Sequence, residues 1–446
     1  MRSAITISTL LALSLPVLVS AESPKLYTDI QADIEYNKLE GLSLGGDAGL
    51  ERLIERDYEL ELDLEYRPSN ELGLFMTAAL IDETERVSPA GLEQSRSGLE
   101  LKEIGLSYFF GDVVQTELKL GRIEYESTSQ WWSLWDDELD SICLQSRTGD
   151  IETLLVLAEE QLPESTSDDF IEPELDDLER FFLSVNWEII EGHSVEFHYL
   201  KQRDNSSNYS VGERLKNERI DDEDADLTWQ GISYLTELDH DSLGSFNLEL
   251  HYTEVTGHST LYEFEDPESG HSEVAEIVQQ DIDGSAHGFH IRWKPSILNK
   301  LTLIAAGATG SGDSTTSDEL SKSYRQTDIQ GDLESYGELY QPELSNLDIR
   351  MIGLEWQTTT SMSIALLRYE YIQETPSDEI RDASIDAEPS GLSRKLGEEF
   401  NLILSIEHKD ALELYVTYAK FNAGDAYASS PEDSSRYIGL DISYSF

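Results

Sequence analysis

Arginine and carboxylate side chains crowd into one short stretch of this chain. Gly121-Arg122-Ile123-Glu124 closes an alternating segment, and Trp131, Trp132 and Trp135 then lead into the acidic run Asp136-Asp137-Glu138-Leu139-Asp140. A guanidinium presents a planar fork of donors that grips carboxylates bidentately. Arg122, set among Glu124, Asp136, Asp137 and Asp140, therefore has two uses open to it. It can hold an anionic solute, or it can pair with a neighbouring acid of its own chain.

Other cations stand alone on otherwise apolar segments. Lys119 lies opposite Leu118 and Leu120, and Arg180 lies opposite Phe181. Arg292 falls between Ile291 and Trp293, and Arg368 between Leu367 and Tyr369. Nine histidines are present, yet none falls in His-Glu-x-x-His, and neither a Gly-x-Ser-x-Gly elbow nor a phosphate-binding glycine loop occurs. The single cysteine, Cys143, excludes a disulfide framework and a cysteine-built metal centre. No loop has the ligand spacing of an EF-hand. These absences point away from an enzyme and from any cofactor or metal.

The elements that must position these groups alternate with a period of two. In Tyr58-Glu-Leu-Glu-Leu-Asp-Leu-Glu-Tyr66 the tyrosines and leucines share one face, and Glu59, Glu61, Asp63 and Glu65 share the other. A helix would scatter these leucines around its axis, whereas a strand separates the two sets. Segments starting at Leu26, Phe181, Phe246, Phe400 and Leu412 repeat the pattern, and the chain ends in Leu440, Ile442, Tyr444 and Phe446 on one face. Short connectors at 68–70, 111–112, 149–150, 191–192, 295–299, 358–361 and 408–411 alternate with long polar ones at 37–57, 83–97, 161–177, 203–226, 255–285, 309–346, 373–395 and 422–434. Alternating short turns and long loops are the mark of a closed membrane barrel. The expected fold is all-β: a transmembrane antiparallel up-and-down barrel of about 18 strands, with long extracellular loops, short periplasmic turns and both termini periplasmic. On that reading Lys119, Arg180, Arg292 and Arg368 face the lumen, because a lysine or arginine at the midplane of the lipid face costs about 2–4 kcal/mol.

The N-terminus reads as an export leader: Arg2, an apolar run from Ile5 to Val19, and a small-residue site ending at Ala21. Residues 1–21 are expected to be removed, leaving 22–446 as one barrel domain. The chain carries 31 Lys+Arg against 90 Asp+Glu, a net charge of −59, so nucleic acid is not a partner. Such acidity often accompanies disorder, but 21 Tyr, 7 Trp and 13 Phe belong to a folded chain.

Residues 118–144 carry a family resemblance. Leu118-Lys-Leu-Gly-Arg-Ile-Glu-Tyr125, the Trp/Asp-rich segment from Trp131 to Asp140, and Leu139-Asp-Ser-Ile-Cys-Leu144 resemble the alginate export porins. Outside this stretch the likeness is architectural. The resemblance implies a bacterial outer-membrane channel for an anionic uronate polymer, with an arginine-lined constriction and loops over the pore. It implies Arg122 as a pore arginine, with Glu124, Asp136, Asp137 and Asp140 as its acidic partners. The inward rows of carboxylates argue the other way, because a lumen lined by Glu59, Glu61, Asp63 and Glu65 favours cations or neutral solutes. Three functions are thus expected in order: an export-type channel for a charged solute or polysaccharide, a general diffusion porin, and a plugged adhesion barrel. Monomeric and trimeric barrels share this strand code.

Overall fold

The computed structural model describes residues 24–446 apart from 45–50, 90, 112, 130, 160–177, 205, 208, 218–219, 269, 314–319, 332–333, 410 and 428–433. The expected leader, 1–21, lies outside the described residues. The strands are β1 (Lys25–Glu40), β2 (Arg52–Arg67), β3 (Leu72–Ser88), β4 (Leu92–Phe110), β5 (Gln115–Glu126), β6 (Asp136–Thr148), β7 (Ile151–Glu159), β8 (Glu179–Ile190), β9 (His193–Arg203) and β10 (Arg214–Lys216). They continue as β11 (Glu223–His240), β12 (Gly244–Glu268), β13 (His271–Lys294), β14 (Leu301–Gly310), β15 (Leu320–Ser321), β16 (Leu347–Thr359), β17 (Met362–Gln373), β18 (Lys395–His408), β19 (Leu412–Ala423) and β20 (Ser434–Ser445).

Setting aside the short β10 and β15, 18 strands pair antiparallel with their neighbours, and β20 returns to β1 from Gln31↔Ser445 to Glu40↔Arg436. Closure gives each of these strands a partner on both sides, the condition for crossing a bilayer with strands. The alternation sorts the two faces as the sequence predicts. Leu60, Leu80, Leu366, Leu402 and Ile438 are exposed on the outer wall. Tyr66, Trp187, Trp293, Trp356 and Tyr444 are exposed near the strand ends that carry the short turns, forming an aromatic girdle. Phe446 sits at that end, its N–H donating to Ile30 O at 2.9 Å.

The loops depart from the expectation. Much of 83–97 and 255–285 is strand: β3 runs to Ser88 and β4 starts at Leu92, and β12 and β13 run 25 and 24 residues. A further short turn at 241–243 joins β11 to β12, outside the expected set. Polar composition alone does not separate a strand that rises above the membrane from a loop.

The described residues of the connections 127–135 and 311–346 fold inward. Trp131, Trp132, Trp135, Tyr324, Ile329, Tyr336, Leu339 and Tyr340 are buried in one apolar cluster with inward residues of the wall. Tyr340 stacks on Phe421 with ring centroids 4.7 Å apart, and Trp135 on Phe182 at 5.4 Å. None of the buried members of this cluster comes from β2, β3 or β4. The plug therefore leans mainly on the wall from β5 onward and on β1 at Leu39, meets β2 and β3 through the half-buried Leu53 and Phe75, and leaves the β2–β4 wall largely open.

Candidate functional site

The inner face of β1–β4 is acidic and wet. Asp33 and Glu35 on β1, Asp57, Glu59, Glu61, Asp63 and Glu65 on β2, and Glu83 and Glu85 on β3 share the parity opposite the exposed leucines, and none is buried. Two cations answer them from β4. Lys102 Nζ bonds to Glu59 and lies 3.1 Å from Glu61, while Arg96 lies 3.1 Å from Glu100 and 3.9 Å from Glu83. Lys102 occupies a bulge: Thr77 pairs with Glu103 and Ala78 with Leu101, so one extra residue is accommodated on β4. Lys102 and Glu103 consequently both face inward, Glu103 near the Thr77 hydroxyl at 3.5 Å. The sequence offered a signal for Lys102 in its parity opposite to Leu99 and Leu101, but nothing that marked the bulge.

Arg122 does not line this space. It is 1% exposed and falls on the parity of Leu118 and Leu120, with Ile123 and Tyr125 turned inward to the plug. The pairing of β4 with β5 stops at Ile104↔Arg122, and β5 continues bonded to β6 alone. Arg122 fills the seam where the two strands part. Its Nε and Nη2 bond to Asp140 at 3.2 and 3.3 Å, and Nη1 donates to the freed Leu101 carbonyl at 3.4 Å. Gly121 makes the parting possible: its φ is +138°, and a Cβ there would stand 2.0 Å from Ile104 O. Arg122 thus sits in the wall, paired with Asp140, and not on the open lumen surface. Glu124 is exposed on the face opposite Ile123, its N–H held by Glu103 at 3.1 Å. Asp136 and Asp137 cap β6: the Asp136 N–H donates to Ile329 O at 2.5 Å, and Asp137 accepts the Glu138 N–H at 2.8 Å.

The parity cations divide. Lys119 faces inward between Ser107 and Cys143, and Arg292 faces inward to Glu355 at 2.6 Å. Arg180, 5% exposed, turns inward with Phe182 and Ser184. Arg368 is reversed. Tyr369 and Tyr371 are buried in the plug, so Arg368 points outward between the exposed Ile352 and Phe400 and pairs with Glu398 at 3.0 Å. Its neighbours misled because Leu367, Tyr369 and Tyr371 are apolar for packing a loop, not for facing lipid.

Two further groups emerge only in three dimensions. Arg180 joins Arg325 and Arg381 around a cavity of about 440 Å³ that also holds Gln202, Asp204, Glu223 and Asp328. Glu223 bonds to Arg325 and lies 3.7 Å from Arg381. Burial raises the Asp328 carboxyl, offset by these arginines. Across the barrel the Trp loop is pinned to β12 and β13. Trp132 stacks on His251 at 5.3 Å and donates to Thr253 at 3.3 Å, and Ser129 bonds to Glu249, which also meets His251 and His290 at 3.3 and 3.4 Å. The loop thus spans the lumen and narrows it. No cluster fit to hold a metal occurs among the described residues.

A family model described as alginate export matches residues 28–441. The chain belongs to the alginate export family. No curated protein matches it. Among solved structures, Pseudomonas aeruginosa OccK5 superposes with a TM-score of 0.58 at 11% identity, covering 95% of this chain and 98% of that one. P. aeruginosa OpdK, in a structure with vanillate, gives 0.57 at 10%, and Acinetobacter baumannii OccAB2 gives 0.57 at 9%, each covering 95% of this chain and 98% of its own. At such identities the likeness is one of fold. This alginate export family member is a closed 18-stranded barrel of the bacterial outer membrane and a channel by family and architecture.

Proposed function

We propose that this barrel is a passive channel for small hydrophilic solutes that passes cations and neutral molecules before anions, along the β1–β4 wall. The observation that carries the reading is the pairing of a largely open wall with an excess of lumen-facing carboxylates, answered on those strands by Lys102, Arg96 and, at the turn end, Arg67. Fixed charge of one sign in a narrow aqueous path enriches the counter-ion and depletes the co-ion. Solutes exchange from one carboxylate to the next along β2, so no covalent step is needed. The test is the zero-current potential of single channels in a planar bilayer under a salt gradient. The wild type should be cation-selective, and Glu59→Gln, Glu61→Gln, Asp63→Asn together should move the potential toward zero. Anion preference in the wild type would refute the reading.

One observation favours a second reading, the export of an acidic polysaccharide. The cavity holding Arg180, Arg325 and Arg381 offers guanidinium groups to carboxylates at the loop end of the lumen. Under that reading a soluble oligouronate blocks the current, and Arg325→Gln with Arg381→Gln abolishes the block.

A further inference from the structure

The outer wall carries a charge pattern that neither transport nor packing uses. On β16–β20 and β1–β3, just above the exposed leucines Leu354, Leu366 and Leu402, cations gather on the outward positions, interspersed with Asp348, Glu370 and Glu398. Arg368 on β17, Lys420 on β19, Arg436 on β20 and Arg52 on β2 follow one another along a single cross-strand row, Arg368↔Phe400↔Lys420↔Arg436↔Glu40↔Arg52. Arg350 and Lys395 stand on the adjacent rows. The chain has 31 Lys+Arg among 90 Asp+Glu, so gathering its scarce cations here is not the outcome of composition. The opposite side of the wall is mixed, with Glu124, Asp226, Asp281 and Asp283 exposed outward on β5, β11 and β13 and Lys201 and Arg203 on β9.

The centre of the basic face is unbalanced. Lys420 and Arg436 are direct cross-strand neighbours on the outer face, and the one carboxylate opposite them on the row, Glu40, is shared electrostatically by Arg436, Arg52 and Lys38. Like charges placed opposite each other across a ladder are destabilising unless an anion lies between them. Glu40, next along the row, is engaged by Lys38 at 2.7 Å, and Glu398 on the other flank is shared by Arg368 and Lys395. A cation on the lipid face has a low cost only where its head reaches the interface. Arg368 illustrates this by laying its guanidinium over the Phe400 ring at 5.8 Å.

We infer that this face, centred on Lys420 and Arg436, binds the phosphate groups of the glycolipid that forms the outer leaflet. The anion that reaches outward-facing guanidinium and ammonium groups at this height is a headgroup phosphate, which Arg binds bidentately and Lys as a point charge. The partner is a membrane lipid and not a permeating solute, because the row points away from the lumen.

The full-length protein, refolded and reconstituted in nanodiscs, should retain bisphosphorylated lipid A in native mass spectra at least tenfold better than lipid A stripped of its phosphates. Lys420→Gln with Arg436→Gln should remove most of that tenfold preference, and Lys420→Arg with Arg436→Lys should keep it. Single-channel conductance should be equal in all three proteins, which also verifies that each barrel is folded. Equal retention of the two lipids by the wild type, or an undiminished preference in the glutamine variant, would overturn the inference.

Discussion

Replacing Arg122 with alanine separates a wall residue from a pore residue. The side chain is 1% exposed and holds Asp140 through two hydrogen bonds of 3.2 and 3.3 Å while capping the Leu101 carbonyl at 3.4 Å. Removing one partner of a buried ion pair costs about 3–5 kcal/mol, since the other charge is left in a low-dielectric site. The Asp140 side chain retains 13% exposure, so some water reaches it and the low end, about 3 kcal/mol, applies. Arg122→Ala should therefore lower the temperature at which the folded band converts to the unfolded band on semi-native gels. The zero-current potential of channels that do fold should stay as in the wild type. Arg122→Met with Asp140→Leu should regain most of the lost stability, because a matched apolar pair carries no desolvation penalty. An unchanged conversion temperature, together with a selectivity shift toward cations, would refute the seam assignment and return Arg122 to the pore.

Three other outcomes are expected. Lys102→Met frees Glu59 and Glu61, so cation selectivity should increase in bilayer recordings; the pairs are partly exposed, and stability should change by less than about 1 kcal/mol. Trp132→Ala removes the ring that stacks on His251 and sits against Gly288, a truncation of a buried tryptophan that costs about 3–5 kcal/mol of local anchoring, and single-channel conductance should rise as loop 127–135 loosens. Glu343, buried in the inward loop beside Asp328 and Asp382, has its carboxyl pushed up from 4.5 to about 7, chiefly by burial. The docked loop thus holds a proton that the undocked loop releases, so docking is strongest below pH 4.5, weakens as pH rises and loses about 3 kcal/mol by pH 7. Amide exchange in 334–346 should be faster at pH 8 than at pH 5.5 after correction for intrinsic rates, and Glu343→Gln should remove that difference.

Sequence alone determined the architecture. Strict alternation in Tyr58–Tyr66 and in the last strand, with connections that alternate in length, leaves a closed barrel as the structure that satisfies every backbone group in lipid. It also determined which carboxylates of β2 face inward, because period two admits no other separation. The tertiary structure decided what those faces meet. Alternation tells a lumen residue from a lipid residue only while an unbroken strand has lipid on one side and water on the other. Lys102 sits where a bulge adds a residue, Arg122 where Gly121 lets β5 part from β4, and Arg368 beside tyrosines whose apolar face packs a loop. In each case an apolar neighbour was the sequence signal, and that signal is the same whether the apolar side meets lipid or protein. The plug that makes the difference is built from contacts nearly two hundred residues apart, as between Ser133 and Gln330, and no local pattern records them.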